Sequence, residues 1–146
     1  MKKSDYFNIR ELVCPDVYRK FGEKAWVFID ERLLDTLHVL REKVFARPMI
    51  INNWAAGGNL TQRGLRCNLC PIVREKSQAG QLYLSAHNMG KAADITVEGL
   101  SADEARRLIE RCRILLPHPV RIERDVAWLH IDVYDEGHDG IRYFGA

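Results

Sequence analysis

Two short segments, Ala92-Ala93-Asp94-Ile95-Thr96-Val97 and Trp128-Leu129-His130-Ile131-Asp132-Val133, alternate apolar and polar side chains. A β-strand sends successive side chains to opposite faces, so a period of two reads as strand in both places. Each strand has an apolar face, formed by Ala93, Ile95 and Val97 in the first and by Leu129, Ile131 and Val133 in the second. The other faces carry Asp94 with Thr96, and His130 with Asp132. If the two strands neighbour each other in one sheet, the apolar faces meet a common core. The polar faces then point outward and line one wall of a cleft.

The residue types on that wall point to a metal. His87, in Ser85-Ala86-His87-Asn88-Met89-Gly90-Lys91, lies in a stretch rich in small residues just before the first strand. Together with Asp94 and His130 it makes a set of two imidazoles and one carboxylate drawn from separate segments. Such a set suits Zn²⁺ and leaves a fourth position for water or substrate. A Ser-His-Asp hydrolase built from Ser85, His87 and Asp94 is the weaker reading, because no G-x-S-x-G elbow surrounds the serine.

Around these strands the chain predicts a small α+β domain. A helix is expected over about 30–44, capped by Asp30, with Leu33, Leu34, Leu37, Leu40 and Val44 at three- and four-residue spacing. His38 within it reads as an ordinary helix histidine. Met49-Ile50-Ile51-Asn52-Asn53 reads as a buried strand. From Trp54 to Leu84 periodicity fades, and this long segment is expected to be a loop framing a binding cleft. Ser101-Ala102-Asp103-Glu104 is a capping box that starts a second helix with Ala105, Leu108, Ile109 and Cys112 along its apolar stripe. Val120 to Glu123 forms an antiparallel hairpin with the segment containing His130, turning at 124–127. The architecture expected is one domain over 1–146, a small antiparallel sheet with helices packed against it.

Composition narrows the function classes. A chain of 146 residues with 47% hydrophobic side chains can bury one core and needs no second domain. Its 22 basic and 20 acidic residues leave a formal charge of +2 without a long run of one sign, which argues against a nucleic-acid partner. No apolar run approaches the ~18 residues of a membrane span, and the opening residues lack the apolar stretch of a secretory signal. The expectation is a monomer that is cytoplasmic at synthesis, in which Cys14, Cys67, Cys70 and Cys112 stay reduced. Cys67-Asn68-Leu69-Cys70 has the spacing of half a zinc knuckle or of a redox pair, and ordinary thiols are the simpler reading.

The combined pattern Ser85-x-His87-x-x-Gly90-x-Ala92-x-Asp94 and Trp128-x-His130-x-Asp132 resembles the signature of the M15 zinc peptidases. These are the D-Ala-D-Ala carboxypeptidases, dipeptidases and L-alanyl-D-glutamate endopeptidases, which share a fold with the hedgehog signalling domain. The resemblance implies that His87, Asp94 and His130 hold Zn²⁺ and that the substrate is a peptide bond of bacterial peptidoglycan or its precursors. With no secretory signal expected, such an enzyme would fit an endolysin-like setting, phage or prophage, in which it is released to reach the wall, or a cytoplasmic peptidase acting on precursors. Many members of that group carry a carboxylate general base three residues before the last histidine ligand, where this chain has Ala127.

Glu123 and Asp125 are the nearest replacements. Glu123 is preferred because it lies on the partner strand, and its alternative is an ion pair with Arg121 or Arg124. Arg63 and Arg66 occupy the region where related enzymes place a substrate-binding arginine. Trp128 is a candidate wall of the cleft, while Ser85 and Asp132 are expected to orient ligands rather than react. His118 and His138 read as surface residues. The rival function is a zinc-binding module of the hedgehog-like fold that binds a peptide or partner without cleaving it, and Ala127 sustains that alternative. A redox or structural protein centred on Cys67 and Cys70 is the third.

Overall fold

The computed structural model describes residues 3–145 and is an α+β fold with a mixed five-stranded sheet. Met1, Lys2 and Ala146 lie outside the described residues. The leucine stripe builds a helix as expected, although its last turn widens. The helix over Glu31–Val39 continues into a π-helical turn, Leu40–Val44. Leu33, Leu37, Leu40 and Val44 are buried along one side, each worth roughly 2 kcal/mol of apolar transfer. Asp30 caps the helix by accepting from the Arg32 amide at 2.8 Å. The Asp30 carboxylate also takes the Lys91 ammonium at 2.7 Å, and its own amide donates to the Gly90 carbonyl at 3.0 Å. The start of this helix is thereby tied to the segment that carries His87.

The capping box forms. The Glu104 amide donates to Ser101 Oγ at 3.1 Å and the Ser101 amide to Glu104 Oε1 at 3.2 Å, starting a helix over Ala102–Arg111. That helix buries Ala105 and Ile109. A short 3-10 turn, Arg113–Leu115, ends it before Pro117.

The strands are β1 (Met49–Ile50), β2 (Ala92–Val97), β3 (Val120–Arg124), β4 (Leu129–Asp132) and β5 (Ile141–Gly145), in spatial order β1-β2-β4-β3-β5. β2 and β4 are antiparallel neighbours, with Asp94 directly opposite His130 and Ala92 opposite Asp132. β3 pairs antiparallel with β4 through Arg121 opposite Asp132 and Ile122 opposite Ile131. The inward faces supply Ala93, Ile95, Val97, Leu129, Ile131, Val120 and Ile122 to the core, all nearly inaccessible.

Three expectations are corrected. The sheet is not purely antiparallel, because β5 pairs parallel with β3 after a crossing through Gly137 and Gly140, both at positive φ. The strand expected over 49–53 stops at Ile50, since Asn52 and Asn53 turn their amides to Glu11 O and Leu60 O instead of to a ladder. The segment between it and His87 is not all loop. It holds a helix over Pro71–Gln78, which follows Cys70 and buries only Val73, too short and too polar for a periodic stripe to show. Before Asp30, the N-terminal region forms a further helix, Pro15–Phe21, flanked by 3-10 turns at Ile9–Glu11 and Gly22–Phe28. Among the described residues no helix is long and apolar enough to cross a membrane.

Candidate metal centre

His87, Asp94 and His130 come together, each offering a ligand atom within 4.8 Å of the other two. Pairing of β2 with β4 places Asp94 beside His130, and their side chains meet with His130 Nδ1 at 2.9 Å from Asp94 Oδ1. His87 arrives from a 3-10 turn, Ala86–Met89, capped by Ser85, whose Oγ accepts from the His87 amide at 3.2 Å. Gly90 ends that turn with φ +68°, a conformation that disfavours a Cβ. An added Cβ would also lie 1.7 Å from the Phe28 carbonyl oxygen, so glycine is needed for both conformation and space.

The polar face is not solvent-facing, as strand alternation alone suggested. Asp132 is 0% exposed, and His87, Asp94 and His130 are all buried. The covering comes from residues distant in sequence. The loop at 64–66 lies over the site, holding His87 Nδ1 at 2.9 Å from the Gly64 carbonyl and pairing the Arg66 guanidinium with Asp94 Oδ2 at 3.4 Å. Phe144, on β5, sets its ring edge-on to His130 at 5.5 Å.

Protonation follows from these partners. A carbonyl oxygen can only accept, so His87 Nδ1 donates and Nε2 keeps its lone pair, aimed at Asp94 Oδ1 at 3.4 Å. Burial holds the His87 pKa below its ordinary value, and this outweighs the attraction of Asp94. His130 is in the opposite state. Its Nδ1 faces Asp94 and its Nε2 faces Asp132 Oδ2 at 2.7 Å, two carboxylates that only accept. Burial opposes the charge, but Asp132 and Asp94 outweigh it and push the imidazole up to about 9. Burial likewise works against an ionised Asp94, yet His130 and His87 hold its carboxyl well below the usual range. The neutral Nε2 of His87, the ionised Asp94 and Nδ1 of His130 thus converge on a point that asks for positive charge. A proton on His130 supplies that charge here, and a divalent cation exchanged for it would find two nitrogens and one oxygen. The donor set fits a metal ion.

Behind the ligands stands a support that the sequence did not announce. Arg121 grips Asp132 with both arms, Nε to Oδ1 and Nη2 to Oδ2, each at 2.9 Å, and its remaining nitrogen reaches Glu136 at 2.8 Å. Its guanidinium lies 4.7 Å from the Tyr134 ring centre and 4.5 Å from that of Phe144. Asp132 in turn fixes the His130 ring, so the chain of contacts runs from Arg121 through Asp132 to the ligand. The signal for Arg121 was its place in a strand facing Asp132, legible only once the hairpin register is known.

Above the three residues opens a cavity of about 780 Å³, bordered by Arg66, Lys76, Tyr83, Glu123, Trp128 and Tyr134. Glu123 lies in this cavity, and continuing the β3–β4 register by one residue sets it opposite His130. Among the described residues its carboxylate has no ion pair: Arg121 is taken by Asp132 and Glu136, and Arg124 lies over the Tyr143 ring. Arg66 also borders the cavity, its other nitrogens bonded to Gln62 O at 2.6 Å and Tyr83 Oη at 2.8 Å. Trp128 forms part of the rim, 43% exposed.

Two of the expected site residues lie elsewhere. Asp125 sits at the hairpin turn with φ +61° and lines a separate cavity with Arg106 and Tyr143. The Arg63 guanidinium donates to Thr96 Oγ1 at 2.8 Å and lines another neighbouring cavity; its contacts with the centre are its charge, felt by Asp94, and its backbone carbonyl, which accepts from the Asp94 amide at 2.7 Å. His118 pairs with Asp35 at 2.9 Å. His138 is half-buried rather than superficial, with Nε2 at 3.0 Å from the Val120 carbonyl. His38 bonds Ser4 Oγ at 2.7 Å and belongs to no ligand cluster among the described residues.

No family model, no curated protein and no solved structure matches this chain.

Proposed function

We propose that the chain is a zinc-dependent hydrolase of a peptide bond in bacterial peptidoglycan or its precursors. The observation that carries this reading is the convergence of His87, Asp94 and His130 beneath an open cavity of about 780 Å³. That volume is in the usual range for a small-molecule or peptide-end site. The likeness of the Ser85–Asp94 and Trp128–Asp132 motifs to the zinc peptidases supplies the substrate class, and with it the hedgehog-like fold and the endolysin-like, phage or prophage setting.

Two imidazoles and a carboxylate favour Zn²⁺ among common divalent ions. When bound, the ion supplies Lewis acidity toward a carbonyl oxygen and toward water. The rest falls to side chains. Glu123, without an ion pair among the described residues and opposite His130, accepts a proton from the attacking water and returns it to the amine as the C–N bond breaks. Arg66 borders the cavity and steadies negative charge that develops on the carbonyl oxygen or is carried by a substrate carboxylate. Trp128 offers an aromatic wall for the peptide. Asp132, held by Arg121, keeps His130 in the ring orientation that directs Nδ1 at the site.

Digestion of purified peptidoglycan tests the reading. New amino termini should appear, vanish with chelator, return with Zn²⁺ and fall at least about a hundredfold in Glu123→Gln. One feature favours a second reading. The position three residues before His130 is Ala127, exposed and lining the neighbouring cavity. Stoichiometric zinc without any cleavage of wall peptides would identify a binding module that uses the same cavity for a peptide or partner.

A further inference from the structure

Three cysteines that the proposed hydrolysis does not use meet at a second place. Cys14 immediately precedes the helix Pro15–Phe21, Cys70 immediately precedes the helix Pro71–Gln78, and Cys67 precedes Cys70 in a tight turn closed by the Cys70 amide to the Cys67 carbonyl at 3.2 Å. Their sulfurs all lie within 4.8 Å of one another, and Cys14 Sγ is 3.6 Å from Cys67 Sγ. Bonds of about 2.3 Å to a tetrahedral zinc ion set neighbouring sulfurs about 3.8 Å apart, whereas a disulfide needs about 2.0 Å. The Cys14–Cys67 pair is thus spaced for a shared cation rather than for a bond to each other.

The surroundings are built to hold thiolates in place. A proline follows both Cys14 and Cys70, and both cysteines have the extended backbone that a following proline favours. The Leu69 amide donates to Cys67 Sγ at 3.4 Å, an arrangement that supports charge on sulfur. Cys14 and Cys70 are 1% and 3% exposed, while Cys67 is half-buried and leaves solvent a way in on one side. Residues 14 and 67 are far apart in the chain, and hydrophobic burial does not require sulfur at all three points of contact.

We infer that Cys14, Cys67 and Cys70 form a second metal site, a three-thiolate site for one thiophilic divalent cation of the zinc class, with its fourth position filled from the solvent side of Cys67. The donors are soft, in contrast to the nitrogen and oxygen donors around His87, so the two sites differ in chemistry as well as place. Its position gives the ion a structural role. Leu65 donates to Leu12 O at 2.8 Å beside the bridge between Val13 and Leu65, so the cation would pin the N-terminal segment to the loop at 64–66. That loop presents the Gly64 carbonyl to His87 and Arg66 to Asp94. The inference does not depend on hydrolysis, because it rests on the cysteines alone.

Cobalt(II) separates the two sites by spectroscopy. In a His87→Ala/His130→Ala variant, reduced and handled without oxygen, Co²⁺ should bind at one ion per chain and produce a strong near-ultraviolet thiolate-to-cobalt charge-transfer band. An equivalent of Zn²⁺ should then bleach that band. Cys67→Ser should abolish it, while Cys112→Ser should retain it. If Cys67→Ser does not fold, alkylation gives the second measurement: in the folded double-histidine variant, Zn²⁺ should slow modification of Cys67 by iodoacetamide at least about tenfold and chelator should restore it. Absence of the band in folded, reduced protein would overturn the assignment. So would a band that survives Cys67→Ser, zinc-indifferent alkylation, or a Cys14–Cys67 disulfide found in protein kept under reducing conditions.

Discussion

Replacing Arg121 by methionine should weaken both the fold and the metal centre, although Arg121 touches neither His87 nor Asp94 in the contacts that define the site. Asp132 is completely buried, and its two oxygens take the Arg121 guanidinium at 2.9 Å each. In the variant it keeps, among the described residues, the His130 ring at 2.7 Å and the Tyr134 amide at 3.1 Å. Removing one partner of a buried ion pair costs about 3–5 kcal/mol. Methionine refills part of the space between Tyr134 and Phe144, which places the expected loss near the lower end, about 3 kcal/mol. With a urea dependence of about 1–3 kcal/mol per molar, the unfolding midpoint should fall by about 1–3 M at neutral pH with an unchanged slope.

The same variant has a pH signature. Burial works against an ionised Asp132, but His130 and Arg121 outweigh it and hold its pKa below the ordinary value. A carboxyl lowered in the folded state contributes stability that is present above its unfolded pKa and lost as pH falls through the folded one. Without Arg121 the folded pKa rises, so acid unfolding should begin at higher pH. Zinc affinity should fall about 10- to 100-fold as the His130 ring loses its fixed support, with Arg121→Lys intermediate because it keeps the charge but not the fork. A midpoint within about 0.2 M of the parent, together with unchanged zinc affinity, would refute the orienting role of the Arg121–Asp132 pair.

Gly90→Ala should destabilise by about 3–5 kcal/mol in urea unfolding, combining left-handed backbone strain, overpacking against Phe28 O and weakening of the Asp30–Gly90 hydrogen bond; a loss below about 1 kcal/mol would mean that the Phe28–Asp30 segment yields freely. Glu123→Gln should leave zinc stoichiometry and the thermal midpoint near those of the parent while cleavage of wall peptides falls at least about a hundredfold, and retained cleavage would assign the base elsewhere. Metal-free protein should lose stability in alkali, because a histidine raised to about 9 contributes stability that is full below about 6.5 and lost as pH rises through its folded pKa. Thermal midpoints measured across that window with chelator should fall, whereas zinc-loaded protein should hold level; parallel curves would show that no cation displaces the His130 proton.

The local elements were legible because short-range sterics produce them. Alternation over 92–97 and 128–133 placed Asp94, His130 and Asp132 on their faces, the Ser101–Glu104 pattern marked a helix start, and the leucine spacing marked the helix after Asp30. Those signals rest on a few adjacent residues and on backbone geometry common to all chains. The helix over Pro71–Gln78 escaped because it buries one side chain and so leaves no stripe. β5 escaped because a parallel partner is chosen by how the chain returns across the sheet, which no window of neighbouring residues records.

The sequence by itself determined which residues could serve as ligands and which way each would point from its own strand or turn. Tertiary structure alone decided that Asp94 would stand opposite His130, and that Arg121 would hold Asp132. It also covered the polar face with the loop at 64–66 and with Phe144, sent Arg63 and Asp125 to other cavities, and brought Cys14 across to Cys67 and Cys70. The physical reason is that strand pairing and loop docking are selected by the burial of a shared core among distant segments. The charges of a buried centre, including the raised pKa of His130, exist only after that burial has removed water and set the partners in place.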